Sequence, residues 1–317
     1  PSFEYPFIML EQNLSRLLSG QAIEENEDLC DFTLADQNEA FGIVPSTPSD
    51  YTPVINKTVT YIVMAVIINN EGDVLMIQEA KSSCAGQWYL PKGLFIKDAV
   101  KREVLEETGL EMEPTTLLMV ECASKGWFRF VMTGLIVGGR LKTPADADAE
   151  SLQAKWINDL GEVNLRGNDI NPIIEHARTY YSQKQLEKPW HGPLLPAVSV
   201  SHRKLLLRLV ICSVQKSRTL VEKTEAHFPF CEINHNRNFG ADLPPHKPHG
   251  ILNVEHCSQP GDSTDGFCIT VLVSFKVPVE GIFPIDKYSW VVVGKEIGKA
   301  LLERIPKNMT VPLHVIR

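Results

Sequence analysis

The sequence predicts an α+β fold followed by a smaller α/β region, and three observations point to it. Strand-like apolar runs cluster at residues 61–79 and 117–137, and one short acidic helix lies between them. Prolines at 189, 193 and 196 then mark a break before a further set of strands and a helix. With 317 residues, 44% hydrophobic and 22% charged, the chain carries enough apolar material for two cores.

Three segments are expected: a lead-in at 1–56, a first domain at 57–185 and a C-terminal domain at 186–317. The lead-in holds an amphipathic candidate helix at 8–18, an acidic stretch at 24–28 and a Pro/Ser/Thr-rich linker near 45–53. It reads as partly disordered, with one docking helix. Residues 61–68 form a buried strand, 69–72 a turn and 73–79 the return strand of a hairpin. An aromatic strand end, Gln87-Trp88-Tyr89-Leu90-Pro91-Lys92-Gly93, breaks at Pro and Gly. The helix spans about 99–108, with Asp98 as N-cap, Val100, Val104 and Leu110 facing a core, and Gly109 as its stop. Strands at 117–121 and 127–137 follow, then a long polar loop. Asn168 and Asp169 look like the N-cap of a helix carrying Ile170, Ile173, Ile174 and Ala177.

In the C-terminal domain, 204–213 and 267–277 are β-rich and 295–304 is helical. Leu252-Asn253-Val254-Glu255-His256 resembles Leu118-Met119-Val120-Glu121-Cys122, and Glu121 to Trp156 spans the same distance as Glu255 to Trp290. The region is therefore either a degenerate, inert copy of the first domain or an unrelated unit with a chance match. Between Cys231 and Cys257 lie four histidines without a Cys-x-x-Cys pair, which favours a polar loop over a zinc site.

Chemistry concentrates in Arg102-Glu103-Val104-Leu105-Glu106-Glu107-Thr108-Gly109-Leu110. On a helix Glu103, Glu106 and Glu107 stand at i, i+3 and i+4 and share one face. Like charges so placed repel unless a cation sits among them, and a hard divalent ion with oxygen ligands meets that need. Mg²⁺ keeps water and substrate phosphates in its shell, which points to cleavage of a phosphorylated ligand. The plainer alternative is a solvated acidic face.

Gly93 together with Arg102 to Leu110 resembles the signature of the Nudix hydrolases: Gly, then Glu, then Arg-Glu-aliphatic-any-Glu-Glu-any-Gly-aliphatic. The resemblance implies a mixed sheet between helices. The interval from Gly93 to Arg102 is five residues short, and the Glu usual within it is missing, which implies a weakened metal site. Residues 77–81, 86–91 and 147–154 look like an animal subgroup that hydrolyses diphosphates of oxidised purine nucleosides, such as 8-oxo-GDP and 8-oxo-dGDP. By that resemblance Glu103, Glu106 and Glu107 hold Mg²⁺ or Mn²⁺ and Arg102 fixes Glu103. Glu150, six before Trp156, completes the metal shell or serves as general base, a role for which Glu103 competes. Lys92, Gly93, Phe128, Arg129 and Asp169 are the substrate-binding candidates. Lys92, Lys97 and Arg129 would meet phosphate, Trp127, Phe128 and Phe130 could supply an aromatic stack, and Asp169 would face the purine.

A net charge of −8 argues against a nonspecific nucleic-acid binder and requires metal to reverse the local sign for a polyanionic substrate. Seven scattered cysteines, no spanning apolar stretch and no signal-peptide pattern suggest the cytosol, or cytosol and nucleus, without membrane attachment. Three functions are expected in order: a metal-dependent diphosphatase acting on a small nucleotide, a nucleotide-binding protein without turnover, and an interaction protein working through 190–317.

Overall fold

A computed structural model describes residues 4–23, 52–94, 99–123, 126–185, 191–198, 200–216, 224–229, 246–257, 264–275, 290–307 and 310–316. In chain order the main elements are α1 (Glu4–Leu18), β1 (Thr60–Ala65), β2 (Val74–Glu79), β3 (Trp88–Tyr89), β4 (Lys92–Leu94) and α2 (Ala99–Thr108). They continue as β5 (Leu110–Ala123), β6 (Trp127–Gly139), β7 (Ser151–Ile157), α3 (Asn171–Gln185), β8 (His202–Lys216) and β9 (Thr224–Pro229). The last are β10 (His246–Glu255), β11 (Asp265–Phe275), β12 (Trp290–Val292), α4 (Lys295–Lys307) and β13 (Leu313–Val315).

Two compact units result, Ile55–Leu195 with Val311–Arg317, and Pro1–Val54 with Pro196–Thr310. This differs from three consecutive segments. Helix α1 joins the C-terminal region because Leu10, Leu14 and Leu17 recur on one face and need an apolar partner, which Val210, Leu252, Leu272 and Leu301 supply. The acidic and Pro/Ser/Thr-rich parts of the lead-in lie outside the described residues.

The unit containing α2 has sheets of order β13-β5-β6-β1-β4 and β3-β2-β7. Strand β1 runs parallel to β6 and antiparallel to β4, which sets Val63 opposite both Phe130 and Gly93. The turn at 69–72 closes as expected, the Asn69 side chain accepting the N–H groups of Glu71 and Asp73 and Gly72 adopting a φ of +89°, but the expected hairpin is limited to one bridge between Ile68 and Val74, because β1 and β2 enter different sheets. Helix α3 buries Ile173, Ile174 and Ala177 against Met64, Met76 and Leu118. A short 3-10 turn, Asn168–Ile170, precedes it and is capped by Gly167 without a side-chain bond, so Asp169 is not the helix cap.

The other unit has one sheet of order β10-β11-β8-β9-β12. Three of its four pairings have counterparts in the first, the exception being β8 antiparallel to β9, since β1 and β2 lie in different sheets. The β10–β11 hairpin matches β5–β6, β11 parallel to β8 matches β6 parallel to β1, and β12 antiparallel to β9 matches β7 antiparallel to β2. A helix follows each of β7 and β12. The shared spacing from Glu121 to Trp156 and from Glu255 to Trp290 thus spans corresponding strands, which favours a degenerate copy over a chance match. The second unit lacks any Arg-Glu-x-x-Glu-Glu run in its sequence.

His249 and His256 are buried and bonded to Ser274 Oγ (2.7 Å) and Gly266 O (2.9 Å), while Cys231 and His235 lie outside the described residues. Among the described residues the cysteines are free thiols, and no helix is long and apolar enough to cross a membrane.

Candidate active site

Helix α2 occupies the span its sequence predicts. Ala99, Val100 and Val104 are buried, and Thr108 Oγ1 donates to Val104 O. Gly109 ends the helix in the left-handed region at φ +74°, its N–H donating to Leu105 O (2.8 Å). The expected cap Asp98, with Phe95, Ile96 and Lys97, lies outside the described residues.

At about 100° per residue, Glu106 and Glu107 fall about 60° to one side and about 40° to the other of Glu103, within one face but at its two edges, and their surroundings differ. Glu106 is exposed; Glu107 points inward and is only 3% exposed. The carboxylates brought together are those of Glu103, Glu106 and Glu150, with one oxygen of each within 4.8 Å of the others. Glu150 arrives from the loop before β7. Arg102 Nη2 donates to Glu103 Oε1 (2.8 Å), and its Nε lies 3.6 Å from Glu106 Oε2. One guanidinium cannot offset three converging carboxylates, and this set of hard oxygens from a rigid helix and a loop fits a divalent cation.

Glu107 accepts the Lys92 N–H (2.9 Å). Burial pushes its carboxyl up to about 8, against the Lys92 N–H and charge, and the neighbouring Glu103 and Glu79 push the same way as burial. At Gly93 a Cβ would lie 1.9 Å from Glu103 Cδ, so any side chain there would push the Glu103 carboxylate aside. The bare backbone of Gly93 thus leaves room for Glu103.

A second constellation adjoins this one through Lys92, whose Nζ donates to the buried Glu79 (2.9 Å) and sits 4.4 Å from the centre of the Tyr89 ring. Arg166 also reaches Glu79 and lies 5.2 Å from that ring. Burial opposes the charge on Glu79, yet the bonds and charges of Lys92 and Arg166 hold its carboxyl below the usual value. The Tyr89 hydroxyl donates to Asp169 (2.7 Å), as does Arg129 Nη1 (2.8 Å), while Arg129 Nε donates to Glu121. Burial works against the Asp169 charge too, and Arg129 and Tyr89 outweigh it and keep the carboxyl low. Arg129 is thus a buried organiser flanked by two carboxylates.

Phe128 is not brought to this group. It alternates with Arg129 on β6 and turns to the opposite face, where its ring meets Tyr61 edge-on at 6.1 Å. Phe130 is fully buried against Tyr61 and belongs to the core, whereas Trp127 lies under Arg129, 5.4 Å from ring centre to guanidinium.

Sequence reasoning missed Glu79, Tyr89, Glu121 and Arg166. The available signal was a carboxylate closing an apolar strand in Ile77-Gln78-Glu79 and another in Val120-Glu121, since a charge buried beside a sheet needs a cationic partner.

The NUDIX domain matches residues 59–169. The chain is similar to the 8-oxo-dGDP phosphatase NUDT18 of Homo sapiens, 33% identical over 316 residues that cover 89% of this chain and 96% of the relative. The Danio rerio protein of the same name is 31% identical over 338 residues, covering 96% of this chain and 97% of the relative. The putative nudix hydrolase 1 of Caenorhabditis elegans is 41% identical over 152 residues, covering 44% of this chain and 39% of that protein. With relatives above 30% identity matched along nearly their whole length, and the signature helix in place, the chain belongs to the Nudix hydrolase family.

Proposed function

We propose that this Nudix hydrolase cleaves the diphosphate of oxidised purine nucleoside diphosphates, such as 8-oxo-dGDP and 8-oxo-GDP, to the monophosphate, and so cleanses the nucleotide pool. The observation that carries the reading is the convergence of Glu150 with Glu103 and Glu106 despite the shortened segment before α2. The printed names of the NUDT18 relatives supply the substrate class.

Glu103, Glu106 and Glu150 would hold Mg²⁺ or Mn²⁺, which supplies positive charge against the diphosphate oxygens. Arg102 keeps Glu103 in one orientation through its bond at 2.8 Å. Glu150 or Glu103 takes the proton of the attacking water. The water oxygen bonds to phosphorus as the bridging P–O bond breaks, giving nucleoside monophosphate and inorganic phosphate. Asp169, fixed by Tyr89 and Arg129, offers a carboxylate to the donor edge of the oxidised base. Lys92 and Arg166 add positive charge beside Tyr89.

Phosphate release from 8-oxo-dGDP tests the reading, with Mg²⁺, with Mn²⁺, with chelator and beside Glu106→Gln. Metal-dependent release that falls by at least about 100-fold in the variant is expected, as when a charge-stabilising group is removed. Binding of the nucleotide without release by folded protein would instead favour a binder whose missing residues cost it turnover.

A further inference from the structure

The group that ties the two sources of carboxylate together is a buried lysine outside the family signature. Lys142 is 6% exposed, and an ammonium has three N–H donors. All three are used: Lys142 Nζ donates to Glu106 O (3.0 Å), Asp148 Oδ2 (2.6 Å) and Ser151 Oγ (2.8 Å). The first partner belongs to the end of α2, where helix carbonyls lack partners within the helix and favour a positive charge. The next two carbonyls are taken from the same side, Glu107 O by Ser151 Oγ (2.8 Å) and Thr108 O by the Lys142 N–H (2.7 Å). Asp148 completes the link, because its Oδ1 accepts the N–H groups of Glu150 (2.9 Å) and Ser151 (3.0 Å). A continuous path of hydrogen bonds therefore runs from the backbone of Glu106 through one ammonium to the backbone of Glu150.

We infer that Lys142 is a positioning residue that locks the Glu150 loop to the C-terminal end of α2 and so sets the spacing of the metal-holding carboxylates. The inference rests on the proposed metal site and extends it to a residue that touches neither metal nor nucleotide. Exposed Glu106 and Glu150 carboxylates repel, and the Glu150 loop would drift away from α2 if nothing tied it to the helix. The lock removes that freedom before a cation arrives. Replacing Lys142 by Met keeps the volume but leaves Asp148, Ser151 and the helix carbonyl with fewer partners, and loss of such a supporting contact lowers metal affinity by about 10- to 100-fold.

The experiment is Mn²⁺ binding to the nucleotide-free full chain, followed by electron paramagnetic resonance, for wild type, Lys142→Met, Asp148→Asn and Glu106→Gln. Expected are a Mn²⁺ Kd raised about 10- to 100-fold in Lys142→Met, a smaller rise in Asp148→Asn and near loss in Glu106→Gln. With metal saturating, the nucleotide KM of Lys142→Met should stay near that of wild type, a split that general loosening of the fold would not give. Wild-type Mn²⁺ affinity in folded Lys142→Met overturns the inference, and if that variant does not fold, wild-type affinity in Asp148→Asn overturns it. Undiminished Mn²⁺ binding in Glu106→Gln would sink the metal site itself, so the two failures are distinguishable.

Discussion

Glu103 owes its position to a side chain that is absent. A methyl group at position 93 would fall 2.1 Å from Glu103 Oε1, in the space its carboxylate fills. Substituting Gly93→Ala should therefore displace the carboxylate rather than unfold β4, whose strand geometry tolerates alanine. Displacement by an ångström costs on the order of 100-fold in turnover. Phosphate release from 8-oxo-dGDP should fall by about that factor while the thermal midpoint moves little; an active Gly93→Ala enzyme would show that Glu103 can reach its place by another path. A similar logic governs Glu79 and Glu121. Each is a buried carboxylate whose cationic partners, Lys92 with Arg166 and Arg129, are aimed by that bond toward Tyr89 and Asp169. Residue identity alone announced the carboxylates of α2, because three glutamates at helical spacing are visible in one dimension. Glu150 came into view only through the family resemblance, and neither the partners of Arg129 nor any role for Lys142 was visible, because their partners lie on other elements.

At the scale of elements, local chemistry was legible wherever start and stop signals were strong. Helix α2 begins at Ala99 and ends at Thr108 as its apolar side and Gly109 indicate. Strands β5 and β6 extend well beyond their apolar cores, to 14 and 13 residues, because the hairpin ladder continues through Glu111, Glu113, Gly134 and Gly138. Three register shifts, near Glu111, Pro114 and Leu117, interrupt the two-residue alternation on which a sequence reading depends. The pleat also decided which aromatic of 127–130 meets Arg129, and no composition rule could have chosen Trp127 over Phe128. The end of α2 offers a test of how much one glycine holds. At φ +74°, with Arg140 O 2.2 Å from where a Cβ would be, Gly109→Ala adds left-handed strain to a backbone clash. Urea denaturation should show a loss of at least about 2 kcal/mol, the sum expected of those two effects. A loss of only a few tenths would mean that the segment at Arg140 moves aside freely.

Across the whole molecule, the repeated strand pairings place two glutamates alike: Glu121 near the end of β5 and Glu255 at the end of β10, each bonded to arginine. Their settings have diverged. Arg129 passes the interaction on to Asp169 and Tyr89, whereas Glu255 is closed off, accepting from His202 Nε2 (3.0 Å), Arg208 Nη1 (2.9 Å) and the Ile23 N–H (3.1 Å), the last just beyond α1. In this unit the glutamate is a structural tie that fastens the segment after α1 to the sheet. Burial raises the Glu255 carboxyl, but the bonds from His202, Arg208 and Ile23 outweigh it and hold the group below its usual 4.5. Since the folded state binds this proton less readily than the unfolded chain does, the contribution is fully present above about pH 4.5 and is lost as pH falls through the lower, folded value. Glu255→Gln should cost about 3–5 kcal/mol near pH 7, because it takes the buried carboxylate away from the half-buried Arg208 and the buried His202. The cost should shrink as pH drops below 4.5, where the wild-type carboxyl is itself protonated on unfolding. Urea denaturation from pH 3.5 to 7, followed at Trp290 and Trp127 in separate single-tryptophan chains, checks both statements unit by unit. A variant whose stability deficit is the same at every pH would show that Glu255 acts through packing and not through its charge.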